Sequence, residues 1–295
     1  MSKKADQFFY GGQAVIEGVL MRGRTTYAVA VRRPDGDIEV KRERLNSIVY
    51  THPIWKLPFL RGLAGLWEML HLGMKALVWS ANIQARGQDI ELTPRQIAIT
   101  MTFALVLGLG FFLGLPLIAA GFLGGGRGVL RFTIIEGIVR IGLLLLYLYG
   151  ISLMPDIKRV FQYHGAEHKT INAFESGVSL DVSGIRTQST LHPRCGTGFL
   201  LAVMVISVFV FSLAGRPALP LLILSRLLLV PVVAMLAYEG IRFAGRHRYN
   251  PVVRVLLIPL LLTQKLTTRE PDDDQIAVAL EAFKAARREE EEAAA

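Results

Sequence analysis

Residues 97–123 read IAITMTFALVLGLGFFLGLPLIAAGFL, 27 positions without a charged side chain. A helix needs roughly 20 apolar residues to cross the hydrocarbon core of a bilayer, so this stretch alone points to an integral membrane protein. Composition agrees. The chain has 295 residues, 52% of them hydrophobic, and a mean hydropathy of +0.41, whereas soluble chains of this size usually carry a lower apolar share. The apolar residues gather after Arg95, while residues 1–60 are polar.

Downstream, residues 132–154 read as a second span, with Glu136 and Arg140 in its first half. Residues 199–213 make a short third span whose start lies a few residues earlier, and 219–238 a fourth interrupted by Arg226. Pro251 to Thr263 is apolar but too short to cross, which suits a re-entrant or surface segment. Residues 59–82 carry Arg61, Glu68, His71 and Lys75, costly against lipid. An amphipathic helix in the interface, or one packed in a bundle, is expected there. Thr93 followed by Pro94 predicts an N-cap with proline at the first helical position.

Upstream, Thr26–Arg33 and Asp37–Arg44 partly alternate apolar and polar residues about the turn Pro34-Asp35-Gly36. Gln13–Met21 reads as a further strand bracketed by Gly11-Gly12 and Gly23, glycines that suit tight turns or close backbone approach, with Glu17 as an edge-strand surface residue or, as the alternative, a buried carboxylate approaching the loop between spans two and three. In the tail, Asp272-Asp273-Asp274 can cap a helix bearing Ile276, Leu280 and Phe283, and EEEEAAA should fray. The expected fold is an α-helical integral membrane protein of about four spans plus interfacial or re-entrant helices, with a small N-terminal β-rich cytoplasmic domain. The divisions are 1–58 (β-rich domain), 59–96 (amphipathic helix and linker), 97–154 (two spans), 155–198 (cytoplasmic loop), 199–241 (two spans), 242–270 (juxtamembrane or re-entrant segment) and 271–295 (helix and acidic tail).

The net charge is +9 and the pI about 9.8. The basic residues flank or connect the apolar runs, and no base-reading motif accompanies them, so nucleic acid is not an expected partner. The connectors 124–131 and 214–218 hold only Arg127, Arg131 and Arg216, while the other connecting regions are richer in Lys and Arg. Four spans with both termini cytoplasmic satisfy the positive-inside rule. Cys195 is the one cysteine, which excludes an intrachain disulfide and fits a reducing compartment. The N-terminal MSKKADQFFYGGQ has charges but no apolar run behind them, unlike a cleaved signal peptide.

The loop between spans two and three carries more chemistry than a connector needs: PDIKRVFQYHGAEHKTINAFESG, then TLHPRCGTGF. His164 and His168, four apart, share a helix face, so two imidazoles can meet one ion. Glu167 beside them can take a proton from water that the ion activates. The order H-x-x-E-H is the inverted zincin pattern. For the third ligand Glu175 lies seven residues past His168, His192 and Cys195 form an H-x-x-C spacing, and Glu239 is a long-range option; spacing leaves these open. A closed set of His164, His168, His192 and Cys195 would be structural rather than catalytic. Glu136 and Arg140 read as an i,i+4 pair inside span two, and Arg226 as packing inward or snorkelling.

The blocks GGQAVIEGVLMRG, AVRRPDGDI, FQYHGAEHKTINAFE, TLHPRCGTGFL, YEGIRFAGRH and LTTREPDDDQIAVAL resemble the YqhQ-like family of bacterial membrane proteins, from about Gly11 to Leu280. That resemblance implies a bacterial inner-membrane protein of a family described as predicted metal-dependent enzymes. It also implies that His164, Glu167, His168, His192 and Cys195 lie in family blocks. It supplies no substrate.

The reading expected first is a metal-dependent hydrolase at the cytoplasmic membrane face, with Zn²⁺ the expected divalent ion. The alternatives are a non-enzymatic membrane scaffold or biogenesis factor with a structural metal or hydrogen-bonded His/Cys cluster, and, third, a transporter using Glu136, Arg140 and Arg226. Expected partners are the lipid bilayer and an unidentified substrate or protein, with homo-oligomerisation left open.

Overall fold

A computed structural model describes residues 10–47, 52–86, 93–123, 128–247 and 250–292. The expectations placed on the N-terminal MSKKADQFF, on Arg127 and on the last three alanines lie outside these residues. Four antiparallel strands in sequence order form one sheet: β1 (Gly11–Val15), β2 (Gly18–Arg22), β3 (Thr26–Arg32) and β4 (Ile38–Arg44). The single strand expected over Gln13–Met21 is instead a tight hairpin, β1 pairing with β2 from Gly11↔Arg22 to Val15↔Gly18. Ile16 and Glu17 turn the chain, with Glu17 at φ +52°, and Gly18 leaves no room for a side chain, since a Cβ would sit 2.3 Å from Ala30 O. Alternating hydrophobicity misses such a turn because it interrupts the apolar pattern by only two residues. The second hairpin follows expectation, with Gly36 at φ +95° taking the position that favours glycine.

Period-two alternation gives the sheet two apolar faces, and both are covered. One face (Val15, Leu20, Tyr27, Val29, Val31) packs on Leu72, Ala76 and Ile83 of α1 (Leu60–Ala85). The other (Val19, Met21, Ala28, Ala30) packs on α5 (Pro155–Ser176) and on the C-terminal α10 (Asp273–Glu292). In α10 Ile276, Ala279, Leu280, Phe283 and Ala286 recur at helical spacing and are buried. Asp272 and Gln275 close a reciprocal capping box before it, Gln275 N donating to Asp272 Oδ1 at 2.8 Å and Asp272 N to Gln275 Oε1 at 3.0 Å. Thr26 Oγ1 donates to Ala286 O at 2.7 Å, joining residues 260 apart. The core of the N-terminal sheet is therefore completed by the C-terminal helix.

Among the described residues, three helical stretches are long and apolar enough to cross a membrane: Arg95–Leu123, Gly196–Leu213 and Leu219–Arg246. The first comprises α2 (Pro94–Leu109), a π-turn at Gly110–Gly114 and α3 (Leu115–Leu123). Thr93 caps it as expected, accepting from Gln96 N. The others are α7 (Gly196–Leu213) and α8 (Leu219–Arg246). Beside them stands α4 (Val129–Ser152), and α9 (Pro251–Thr267) follows α8.

Buried among these helices lie Glu136 and Arg140 of α4 and Arg226 of α8. Arg140 Nη2 pairs with Glu136 Oε1, and Arg226 Nη2 with Glu136 Oε2 at 3.0 Å. Arg140 also donates to Ser207 Oγ of α7 at 2.8 Å and to Phe112 O at 3.0 Å. Phe112 lies in the π-turn four residues before Pro116, which has no N–H to donate to its carbonyl and so leaves it for Arg140. Arg226 thus packs inward, and one carboxylate serves two guanidinium groups.

Candidate functional site

The loop expected at 155–198 is mostly helix. Pro155 sits at the N-terminal end of α5 and Asp156 in its first turn, and Gly177 ends it at φ +69°, the left-handed stop that glycine permits. A short helix α6 (Val182–Arg186) follows, and the turn His192-Pro193-Arg194-Cys195 leads into α7, closed by Cys195 N to His192 O at 3.3 Å. Cys195 is the N-cap of α7, its Sγ accepting from Thr197 N at 3.4 Å.

This path brings the ligand atoms of His164, His168 and Cys195 within 4.8 Å of one another. Cys195 Sγ lies 3.3 Å from His164 Nε2, and the two imidazole centroids are 4.4 Å apart. Each ring is held from behind by a main-chain carbonyl: His164 Nδ1 by Thr267 O at 2.8 Å, His168 Nδ1 by Thr190 O at 2.6 Å. A carbonyl oxygen only accepts, so each Nδ1 carries a proton, and the tautomer this selects leaves Nε2 as the atom able to ligate an ion. The 3.3 Å between Cys195 Sγ and His164 Nε2 is close to the roughly 3.5 Å that separates neighbouring donors of a tetrahedral ion with bonds of about 2.0–2.3 Å.

Glu167, one residue along, is 5% exposed, and its Oε2 has no hydrogen-bond partner among the described residues. It packs against β1: a Cβ on Gly12 would lie 2.9 Å from Glu167 Cγ and Cδ. Burial pushes its carboxyl up to about 7, against the opposing pull of His164 and the Gly12 N–H.

The other expected ligands take different places. Glu175 pairs with Arg194 and lies outside the three-ligand group. Burial pushes its carboxyl up, but His192 and Arg194 outweigh that and hold it at about 2. His192 stacks beside His168 at 5.6 Å, yet its Nε2 is 3.8 Å from Glu175 Oε2, too long for a hydrogen bond. Burial drives that imidazole down to about 4, so it is neutral near pH 7. Glu239 is removed from the site altogether, bound by Arg61 at 2.7 and 2.5 Å and by Phe59 N at 3.2 Å. Glu17, expected on the surface, pairs with Arg159 and accepts from Tyr163 OH at 3.2 Å, fixing the β1–β2 turn to α5.

Sequence reasoning missed the residues that hold the site in place. Gln264 grips the main chain of His192, accepting from its N at 2.9 Å and donating to its O at 2.8 Å. An amide closing the apolar run of α9 was the available signal. Thr190 and Thr267 act through carbonyls, which leave no mark in a sequence.

Comparison with known proteins gives two matches. A family described as a protein of unknown function, DUF1385, matches residues 57–289. The uncharacterized protein YqhQ of Bacillus subtilis (strain 168) is 35% identical over 300 residues, covering 96% of this chain and 93% of that protein. No solved structure matches. A family match over most of the chain, and a relative aligned along nearly all of it, make this chain a member of the YqhQ-like DUF1385 family.

Proposed function

We propose that the protein is a metal-dependent hydrolase of the bacterial inner membrane, with His164, His168 and Cys195 as metal ligands and Glu167 as general base. The observation that carries this reading is Glu167 Oε2, a buried and unpartnered carboxylate oxygen one residue from a ligand in a His-His-Cys cluster. Two imidazoles and a thiolate suit Zn²⁺, and three protein ligands leave a fourth position open. The ion would supply Lewis-acid activation of water. The carbonyls of Thr190 and Thr267 aim the imidazoles. Glu167, raised toward neutrality by burial, takes the proton from the attacking water and returns it to the leaving group.

One observation favours a second reading. Glu167, His168 and Cys195 are each 5% exposed or less, and the elements meeting there are α5, α7, α9 and β1. A closed ion would tie the sheet to the membrane helices, a structural role.

The same proposal takes α4 as a fourth span and both termini as cytoplasmic. Glu136 answers Arg140 within α4, and the connectors rich in Lys and Arg then share one side.

The test is metal content and hydrolytic or cellular activity of the purified full chain. The wild type should hold about one Zn²⁺ per chain, and His164→Ala, His168→Ala and Cys195→Ala should lose it. Glu167→Gln should keep the ion and lose activity by about 10²-fold or more. A Glu167→Gln protein active with its metal sinks the hydrolase and leaves the structural ion; a wild type without metal sinks both.

A further inference from the structure

Helix α1 has two apolar faces. Leu72, Ala76 and Ile83 lie against the sheet. Leu63, Leu66, Trp67, Leu70, Met74 and Leu77 follow one another at steps of one, three or four residues along the other side of the helix. Trp67 is 67% exposed and Leu70 60%. Arg61, Glu68, His71 and Lys75 fall on the strip between; His71 is exposed at its edge, and the other three are paired, to Glu239, Arg22 and Glu43 respectively. The segment before the helix continues the outward face, with Ile54, Leu57 and Phe59 exposed around Lys56. A helix that only covered a sheet in water would be polar on its outer side, and an apolar face this long marks a contact with something apolar.

The neighbouring element identifies what that is. The N-terminal end of α1 docks on α8: Gly62 lies so close that a Cβ would be 2.8 Å from the Tyr238 ring, and Arg61 grips Glu239. On α8 this is where the apolar run ends and Glu239, Arg242 and Arg246 begin. The outer face of α1 therefore starts at the level where α8 passes from hydrocarbon to headgroups, the depth at which tryptophan and lysine are favoured.

We infer that the outer face of α1, from Ile54 to Leu77, is a membrane-surface anchor that sits in the headgroup–acyl boundary and holds the sheet domain face-down on the bilayer. The anchor rests on the reading of α7 and α8 as spans. It goes beyond the hydrolase proposal by holding the sheet domain at the membrane surface, the level at which Cys195 caps α7 and meets His164 of α5.

Trp55, Trp67 and Trp79 are the only tryptophans, so the full-length Trp55→Phe/Trp79→Phe variant reports on Trp67 alone. In phosphatidylcholine–phosphatidylglycerol vesicles, lipids brominated at shallow acyl carbons should reduce its emission about twofold while aqueous acrylamide has little effect, as for a face buried 5–10 Å deep. Quenching by acrylamide but not by lipid would put the face in water and overturn the anchor. Protection from both quenchers would mean a protein covering, such as a second copy, and would overturn it too. Phe209→Trp in a background without other tryptophans tests the spans separately: quenching there by deep-brominated lipid with none at Trp67 rejects the anchor alone, and no quenching there rejects the spans. Should the phenylalanine variants fail to fold, a nitroxide on Leu70→Cys reads the same depth through relaxation by oxygen against an aqueous nickel chelate. Faster relaxation by nickel would overturn the proposal.

Discussion

At the residue scale, the two adjacent glycines of β1 make a controlled pair. A Cβ on Gly12 would meet Leu20 O at 2.6 Å and Glu167 at 2.9 Å, whereas one on Gly11 would meet nothing within 4 Å. Gly12→Ala should lower stability by roughly 1–3 kcal/mol and disturb Glu167, and Gly11→Ala should do neither. Thermal unfolding and metal affinity of the two variants check this. The pair also marks what the sequence could tell. The dipeptide Gly11-Gly12 signalled a close approach, but not which glycine is approached or by what. His164 and His168 were legible because a helical turn fixes their relation locally. Their partnership with Cys195 depends on where the α7 N-terminus folds back, which no local spacing encodes. Glu175, at helical spacing from His168, pairs with Arg194 and lies outside the three-residue group.

At the scale of elements, the buried Glu136 joins α4 to α8 through Arg226, and through Arg140 it joins the π-turn and α7. Removing the shared carboxylate leaves two cations facing each other in a dry place. Glu136→Gln should therefore cost about 3–5 kcal/mol, while Arg226→Met, which leaves a neutral Glu136–Arg140 pair, should cost clearly less. Unfolding in detergent micelles, followed by circular dichroism, gives the order. If the arginine variant proves the more damaging, the shared-carboxylate account fails. The i,i+4 pairing of Glu136 and Arg140 was readable from the sequence because both lie on one helix. The third member was not, since Arg226 is 90 residues away and shows in sequence only as a charge inside an apolar run.

At the scale of the whole molecule, the sheet and the last helix form a single core. Removing residues 271–295 uncovers Val19, Met21, Ala28 and Ala30. Residues 10–44 should then become sensitive to added protease in the protein purified in detergent micelles, while in the full chain they resist it. Phe283→Ala, in the middle of that contact, should cost about 3–5 kcal/mol, and an unchanged melting temperature would contradict it. The amphipathic spacing of Ile276, Leu280 and Phe283 revealed a helix with a face to bury. It did not reveal against what, because the complementary face lies at the other end of the chain.

The joining of Thr26 to Ala286 also sets the order in which the molecule can be made. At about 5–20 residues per second a ribosome needs roughly 13 to 50 seconds to travel from one of these residues to the other. Throughout that interval one face of the nascent hairpins stands uncapped. Every newly made copy thus passes through a period in which one apolar face of the strands waits for its lid.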